Sequence, residues 1–235
     1  SIIFDTGVAP GFSNMLLAEA VRRHGALSSG VIKVGGNPTE PDDGWSYMAP
    51  FSPSDVIEEY TRPARVLRDS SLFVLPALSN RHLIDVPDRG RMEAFLTDGL
   101  RSVLDTIPSV HLDEFTVRWP GHIDRYLEQK EHMDESSLLS AWAWSSQRPE
   151  FTWMEVSAKG ASGEIRWVVE AEGDSSGSSM ARTTGAITCA LVEWIERTGL
   201  DPGIHPPETL PPDALTHCMD WYGKSGVTIT CEETF

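Results

Sequence analysis

The segment VRWPGH, Val117 to His122, sets a guanidinium and an imidazole on either side of a Trp-Pro-Gly turn. Arg118 is a candidate to grip a carboxylate with two parallel N–H donors. His122, at the start of the helix that Pro120 introduces, is a candidate acid/base or hydrogen-bond donor near neutral pH. Both also read structurally, with Arg118 in an ion pair with Asp98 or Glu114 and His122 as a satisfied buried histidine. EAFLTDGL places Thr97 and Asp98 where a strand passes into a helix. Asp98 there either holds a substrate ammonium or caps the helix. In GGNP, Gly36 has no Cβ to keep a ligand away from the backbone, and Asn37 stands beside it; a plain turn is the alternative. SSMARTTG sets Arg182 and Thr183 in the first turn of a long helix, where the dipole disfavours a cation. Arg182 therefore needs an anionic partner, either a ligand carboxylate or a nearby Asp or Glu. GVAPGFSN is a Gly/Pro turn running into a helix N-terminus, a place that accepts an anion or an amide when Ser13 or Asn14 is not simply its cap.

Several chemistries are not encoded. The histidines and cysteines fall in no metal-ligand spacing, and adjacent His217 and Cys218 cannot share a helix face, so no metal is expected. No GxSxG occurs. No GxGxxG follows a strand, so the phosphate-cradling loop of a dinucleotide site is missing.

The elements that must position these residues follow from periodicity. SIIF reads as a short strand, and Met15 to Val21 as a mostly apolar helix closed by Gly25. GVIKVGGNP is a strand ending in a turn. The proline-rich stretch 38–53 is a loop long enough to wall or cover a site. SPSDVIEEY is a short helix that Pro63 ends, with Tyr60 and Arg62 near its end and Arg62 in a surface ion pair. ARVLRDSSLFVLPAL suggests hairpin strands, RMEAFLT another strand, and DGLRSVLDTI a helix beginning near Asp98. SVHLDEFTVRW alternates as a long strand whose apolar phase slips at Asp113–Glu114, the mark of a β-bulge. FTWMEVSAKGASGEIRWVVEAEG is a hairpin, followed by the polar loop DSSGSS. SMARTTGAITCALVEWIERTG is the strongest helix, capped by Ser178 or Ser179 and stopped by Gly199. A Pro-rich connector, a short helix and a strand complete the chain. Trp142, Trp144, Trp153 and Trp167 are expected in a core or a subunit interface. Strands interleaved with helices and hairpins give an α+β fold, a mixed sheet with helices packed on one face.

The chain has 235 residues and a net charge of −16. That charge repels nucleic acid and anionic membranes, so neither is an expected partner. No stretch reaches the roughly 18 apolar residues of a membrane span. Three widely spaced cysteines without a CxxC point to a reduced, cytoplasmic setting.

Seven segments, in order, resemble the C-terminal part of the saccharopine dehydrogenase family: DTGVAPGFSN, VGGNP, EEYTRPA, MEAFLTDGL, TVRWPGH, SSMARTTGA and GIHPPETL. The patterns around EAF.TDGL and T.R.PGH are most similar to its lysine 6-dehydrogenase-like branch. The resemblance implies an α+β substrate and dimerisation domain like the C-terminal domain of glyceraldehyde-3-phosphate dehydrogenase. It makes 1–235 one such domain, with residues 1–11 and about 200–235 at the junction with a missing N-terminal Rossmann domain. It implies an NAD- or NADP-dependent oxidoreductase that removes hydride from the carbon bearing an amine and leaves an imine. The cofactor serves the full-length parent and is not expected to bind this chain alone. Pro10, Gly11 and Asn14 would lie where the nicotinamide meets an amino-acid or amine substrate. Arg118, Thr97, Gly36, Asn37, Arg182 and Thr183 would face that substrate, His122 and Asp98 would be catalytic, and the protein would be a homodimer. Saccharopine-binding members tend to carry Asn-Arg-Asp where this chain has Thr97-Asp98-Gly99, a departure that points to a smaller amine. The competing reading is a free-standing, non-catalytic amino-acid-binding or dimerisation module.

Overall fold

The computed structural model of the protein describes residues 1–174 and 177–235. Ser175 and Ser176 of the expected polar loop lie outside the described residues. Strand β1 (Ile2–Ile3) leads through the Gly7–Gly11 turn into α1 (Phe12–His24) and then β2 (Leu27–Pro38). After a loop come α2 (Pro53–Thr61), the hairpin β3 (Ala64–Arg68) and β4 (Ser71–Leu75), and the hairpin β5 (His82–Val86) and β6 (Gly90–Leu96). The single turn α3 (Val103–Thr106) precedes β7 (Ser109–Arg118), α4 (His122–Gln129) and α5 (Glu135–Ala141). The hairpin β8 (Glu150–Gly160) and β9 (Glu164–Glu172) is followed by α6 (Ser179–Thr198), β10 (Ile204–His205), α7 (Pro212–Lys224) and β11 (Thr228–Thr234).

Among the described residues one mixed sheet runs β11-β9-β8-β2-β7-β3-β4, with β6 also on β7 and β5 on β6. Only β2 and β7 are parallel in it. β1 and β10 form a separate two-strand parallel pair. Helices α1, α6 and α7 cover one face. Phe12, Leu16, Ile187 and Leu191 pack there on Ile32, Met154, Val156 and Trp167. The alternate residues of the strands, Phe115, Val117 and Trp153 with Met92 and Ala94, build a second core on the other face. A third cluster joins Tyr47, Val56, Tyr60, Phe95, Tyr126 and Trp142, from the 39–52 loop, α2, β6, α4 and α5.

The long helix forms as expected: the Ser178 hydroxyl accepts the Ala181 N–H at 3.1 Å, and Gly199 closes it. Other expectations need correction. The helix after Asp98 is only Val103–Thr106, because Arg101 takes a left-handed φ of 53° and breaks any earlier start. Strand β5 was not legible. Of the four tryptophans, Trp142, Trp153 and Trp167 are buried in a core, and Trp144, 37% exposed, is left to the interface alternative. No bulge occurs at Asp113–Glu114, since β7 pairs with β2 in unbroken register from Ser29↔His111 to Val34↔Thr116. The apolar phase slips for another reason. At Leu112 the helix-side face of β7 still meets α1's core. Beyond it that face opens into a cavity, so Glu114, Thr116 and Arg118 are polar while Phe115 and Val117 serve the opposite core. No described helix is long and apolar enough to cross a membrane.

Candidate functional site

The parallel strands β2 and β7 end side by side. Above them lies a cavity of about 350 Å³, lined by Pro10, Val34, Gly36, Phe51, Glu59, Thr116, Arg118, Met180 and Thr184 among others. A smaller lobe of about 100 Å³ shares Ala9, Pro10, Val34, Glu59 and Thr116 with it and adds Arg62, Thr97, Asp98, Gly99, Arg101 and Glu114. Gly36 forms the floor: a Cβ there would come within 2.8 Å of Pro50 Cγ and 3.1 Å of Met180 Cε. The 39–52 loop contributes a wall through Phe51, the role its length suggested.

Arg118 is 2% exposed, yet its side chain borders the larger lobe. Its Nε donates to the Tyr60 hydroxyl at 3.0 Å and its Nη1 to the Val117 carbonyl at 3.0 Å. The guanidinium lies over the Tyr47 ring, 4.6 Å from the centroid. Its nearest carboxylate is Glu59, at 3.5 Å. That is neither the Asp98 nor the Glu114 pairing weighed from sequence. Glu59 sits at the cavity wall with 34% of its side chain exposed. Burial raises its pKa, and the charge of Arg118 opposes the rise.

His122 lies behind Arg118 rather than in either lobe. Its Nδ1 is 2.9 Å from the Trp45 carbonyl and its Nε2 2.9 Å from the Tyr60 hydroxyl. A carbonyl only accepts, so Nδ1 carries the proton and Nε2 accepts from Tyr60. The hydrogen bonds then run one way: Arg118 to Tyr60, Tyr60 to His122, His122 to Trp45. Burial, reinforced by the Arg118 charge, pushes the His122 pKa down to about 3, against the Trp45 hydrogen bond. An imidazole so held is neutral and has no free nitrogen for acid/base work; it orients Tyr60, which orients Arg118. Its imidazole nitrogen shifts are expected to stay those of the neutral Nδ1–H form from about pH 5 to 8 in NMR spectra. A titration near the ordinary histidine value would disprove the relay.

Asp98 borders the smaller lobe, but its carboxylate is taken bidentately by Arg65, at 2.8 and 3.0 Å, and by the Arg65 N–H at 3.2 Å. It neither caps a helix nor remains free for an ammonium. Thr97 does reach the site. Its hydroxyl is 2.5 Å from Glu114 Oε2 and 2.8 Å from the Thr116 hydroxyl. Asn37 points elsewhere: its amide donates to the Val117 carbonyl at 3.1 Å and ties two strand ends together. Arg182 pairs with Asp174 at 2.6 Å, and Thr183 is buried, donating to the Met180 carbonyl at 3.1 Å. The helix α6 instead gives the cavity Met180 and Thr184, one turn apart.

The α1 N-terminus is not the anion site its turn suggested. Its first amides are already used: Phe12 N–H to Gly7 O, Ser13 N–H to Val8 O, and Asn14 and Met15 N–H to Gly11 O, at 2.9 to 3.1 Å. Gly11 is required by the fold, since at φ 136° a Cβ would fall 2.2 Å from Gly7 O. The Asn14 side chain caps Gly11 N–H and reaches Glu208 at 3.4 Å. Of Pro10, Gly11 and Asn14, only Pro10 borders the cavity, as an apolar wall. The first-turn amides are thus not free for a phosphate.

Sequence reading missed Glu114 as a site residue. It is 4% exposed, and its Oε2 accepts from Thr97 and from the Gly99 N–H at 3.1 Å. Burial pushes its pKa up to about 7, against the Thr97 hydrogen bond and helped by the charge of Glu59. Because the folded value lies above the unfolded one, its contribution to stability is full below about pH 4.5 and is lost as pH rises through about 7. The polar interruption of β7's alternation was the available signal. Tyr47, Glu59 and Tyr60 carried none, being ordinary residues of a loop and a short helix.

Residues 7–137 match the family described as the saccharopine dehydrogenase C-terminal domain. Among solved structures, a histidine-tagged apo saccharopine dehydrogenase (L-Glu forming) from Saccharomyces cerevisiae superposes with a TM-score of 0.78 at 13% identity, covering 100% of this chain and 74% of that one. The homospermidine synthase of Legionella pneumophila, solved in complex with NAD, gives 0.72 at 12% identity over 99% of this chain and 63% of that one. At such identities the likeness is one of fold.

Proposed function

Because this chain belongs to the saccharopine dehydrogenase C-terminal domain family, we propose that it is the substrate-binding part of an NAD- or NADP-dependent oxidoreductase acting on a C–N bond of an amino acid such as lysine. One observation carries this reading. A buried guanidinium, fixed by two tyrosines, borders an otherwise mostly apolar cavity and has only a loosely placed carboxylate as its anion. Such a group is pre-organised for a ligand carboxylate, whose arrival would replace the 3.5 Å Glu59 contact. Glu59 is then free to take the ligand's α-ammonium, so that Arg118 and Glu59 together read a zwitterion. Pro10, Val34, Phe51 and Met180 hold the carbon chain.

The nicotinamide cofactor, when bound, supplies the hydride acceptor. Since the α1 N-terminus has no amide left for phosphate, the dinucleotide is assigned to a separate Rossmann domain of the full-length protein. The parallel pairing of Ile2 with Ile204 brings the two proposed junction segments side by side, while α7 and β11 are built into the domain. The assembly proposed is a homodimer, supported by exposed Leu72, Phe73 and Val74 on the edge strand β4.

Calorimetric titration of this chain with L-lysine and with NADH tests the assignment. Heat of binding is expected with L-lysine and none with NADH. Saturable NADH binding would show that the chain holds the cofactor itself, and silence with L-lysine would remove the substrate reading.

A further inference from the structure

Among the described residues, the large sheet ends in the outer strands β11, β5 and β4. An outer strand carries unpaired N–H and C=O groups, and charged side chains are a common guard against pairing with another chain. β11 carries Glu232 and Glu233, and β5 carries Asp85. β4, Ser71-Leu72-Phe73-Val74-Leu75, carries no charge. Its Leu72, Phe73 and Val74 are 57, 49 and 63% exposed.

The β3–β4 hairpin fixes which backbone groups of β4 are free. Asp69 and Ser70, with left-handed φ of 50° and 59°, make the turn, so Arg68 and Ser71 form its hydrogen-bonded closing pair. Bonded and non-bonded pairs alternate along an antiparallel ladder. Val66 and Phe73 therefore exchange bonds, whereas Arg65↔Val74 and Leu67↔Leu72 do not. The Arg65 N–H bears out this phase, since it donates away from β4, to Asp98 at 3.2 Å. Leu72 and Val74 thus turn their N–H and C=O groups toward the free edge. Their side chains share one face of the sheet, and that of Phe73 takes the other.

We propose that β4 pairs with β4 of a second copy of this chain across a twofold axis at Phe73, normal to the sheet, which joins the two sheets edge to edge. This deepens the homodimer assignment above and rests on it. Such an axis makes the pairing antiparallel, with the same strand on both sides. Only one register uses all the outward groups. With Phe73 opposite the partner's Phe73, Leu72 exchanges hydrogen bonds with the partner's Val74, and Val74 with the partner's Leu72. Centring on Leu72 sets Val74 against the partner's Ser70, a residue whose N–H already donates to Val110 O at 2.9 Å. Centring on Val74 sets Leu72 against the partner's Pro76, which has no N–H. The register also meets the repulsion expected between two chains that each carry −16. Asp69, the acid at the turn, falls opposite the partner's Ala77, and no acid meets another along the paired strands. The Phe73 side chains stand opposite each other in a non-bonded pair, where cross-strand side chains come closest.

Sedimentation and amide hydrogen exchange of the 235-residue chain provide the test. The mass is expected to rise with concentration from 25.9 kDa toward twice that value. The Leu72 and Val74 amides should exchange at least about 10-fold more slowly in the dimer than in the monomer. The Phe73 amide, already bonded to β3, should exchange alike in both. Val74→Lys sets a charge into the joint and should weaken dimerisation by about 10-fold or more. The monomer should melt as wild type does, because the side chain at this position is 63% exposed. Val74→Thr keeps the β-branch and the backbone bonds, and its dimer affinity should stay within about 3-fold of wild type. A dimer whose Leu72 and Val74 amides exchange as they do in the monomer, or one that Val74→Lys leaves intact, overturns the edge pairing. A chain that stays monomeric at every concentration overturns the homodimer assignment itself, and the pairing with it.

Discussion

Methionine in place of Arg118 is expected to weaken L-lysine binding by on the order of 100-fold, the worth of a charge-assisted bidentate contact, with little loss of thermal stability. The two parts of this result have separate causes. Removing one partner of a buried charge pair is severe when the other stays buried and unpaired. Here the partner, Glu59, keeps 34% of its side chain exposed and can turn to solvent. Tyr60 still donates to His122, so it keeps one of its two hydrogen bonds. Methionine refills most of the volume over the Tyr47 ring. Lysine is not expected to rescue binding, since a single ammonium cannot both reach Tyr60 and present a two-pronged face to a carboxylate. Calorimetry with L-lysine and a parallel melting curve decide the matter. A dissociation constant within about 3-fold of wild type would take Arg118 out of the site.

Alanine in place of Trp142 is expected to cost about 3–5 kcal/mol of stability, as for other fully buried large aromatics. Trp142 has no exposed surface and touches Trp45, Tyr47, Tyr60, His122 and Tyr126 at ring-centroid distances of 5.3 to 6.1 Å. It is the common neighbour of the loop, α2 and α4, the three segments that carry the Arg118 support. Its truncation should therefore also weaken ligand binding, although it contacts neither lobe. Phenylalanine at the same position should cost about 1.5 kcal/mol or less, because the indole N–H has no hydrogen-bond partner to lose. Urea denaturation of both variants gives the two values. A loss below about 1 kcal/mol in Trp142→Ala would mean that the cluster repacks freely and does not brace the site.

Strand β7 shows how far the residues alone could lead. Its alternation is visible in the sequence, and so is the phase slip at Asp113–Glu114. A slip has two physical causes: an inserted residue, or a change in which face is buried. The chain cannot distinguish them, because the difference lies in what packs against the strand. In the fold Leu112 packs in the core that α1 builds, whereas Glu114 borders the cavity. SSMARTTG failed for a similar reason. The N-terminal placement of Arg182 was correct, as was its need for an anion, but that anion is Asp174, just upstream.

What the sequence determined by itself was local: period-two strands, the capped α6, the Gly11 turn, and the candidacy of Arg118 as a carboxylate-binding group. The ordered motifs added the family. The tertiary structure alone decided which candidates meet. Tyr47, Glu59, Tyr60, Arg118, His122 and Trp142 come from a loop, two helices, a strand end and the residue after α5. Their meeting depends on long-range packing that no spacing along the chain encodes. The same packing set their chemistry. Burial turned His122 from a candidate acid into a neutral hydrogen-bond acceptor and left Glu114 a carboxyl with a raised pKa. Desolvation is a property of the surrounding fold, and the identity of a residue does not carry it.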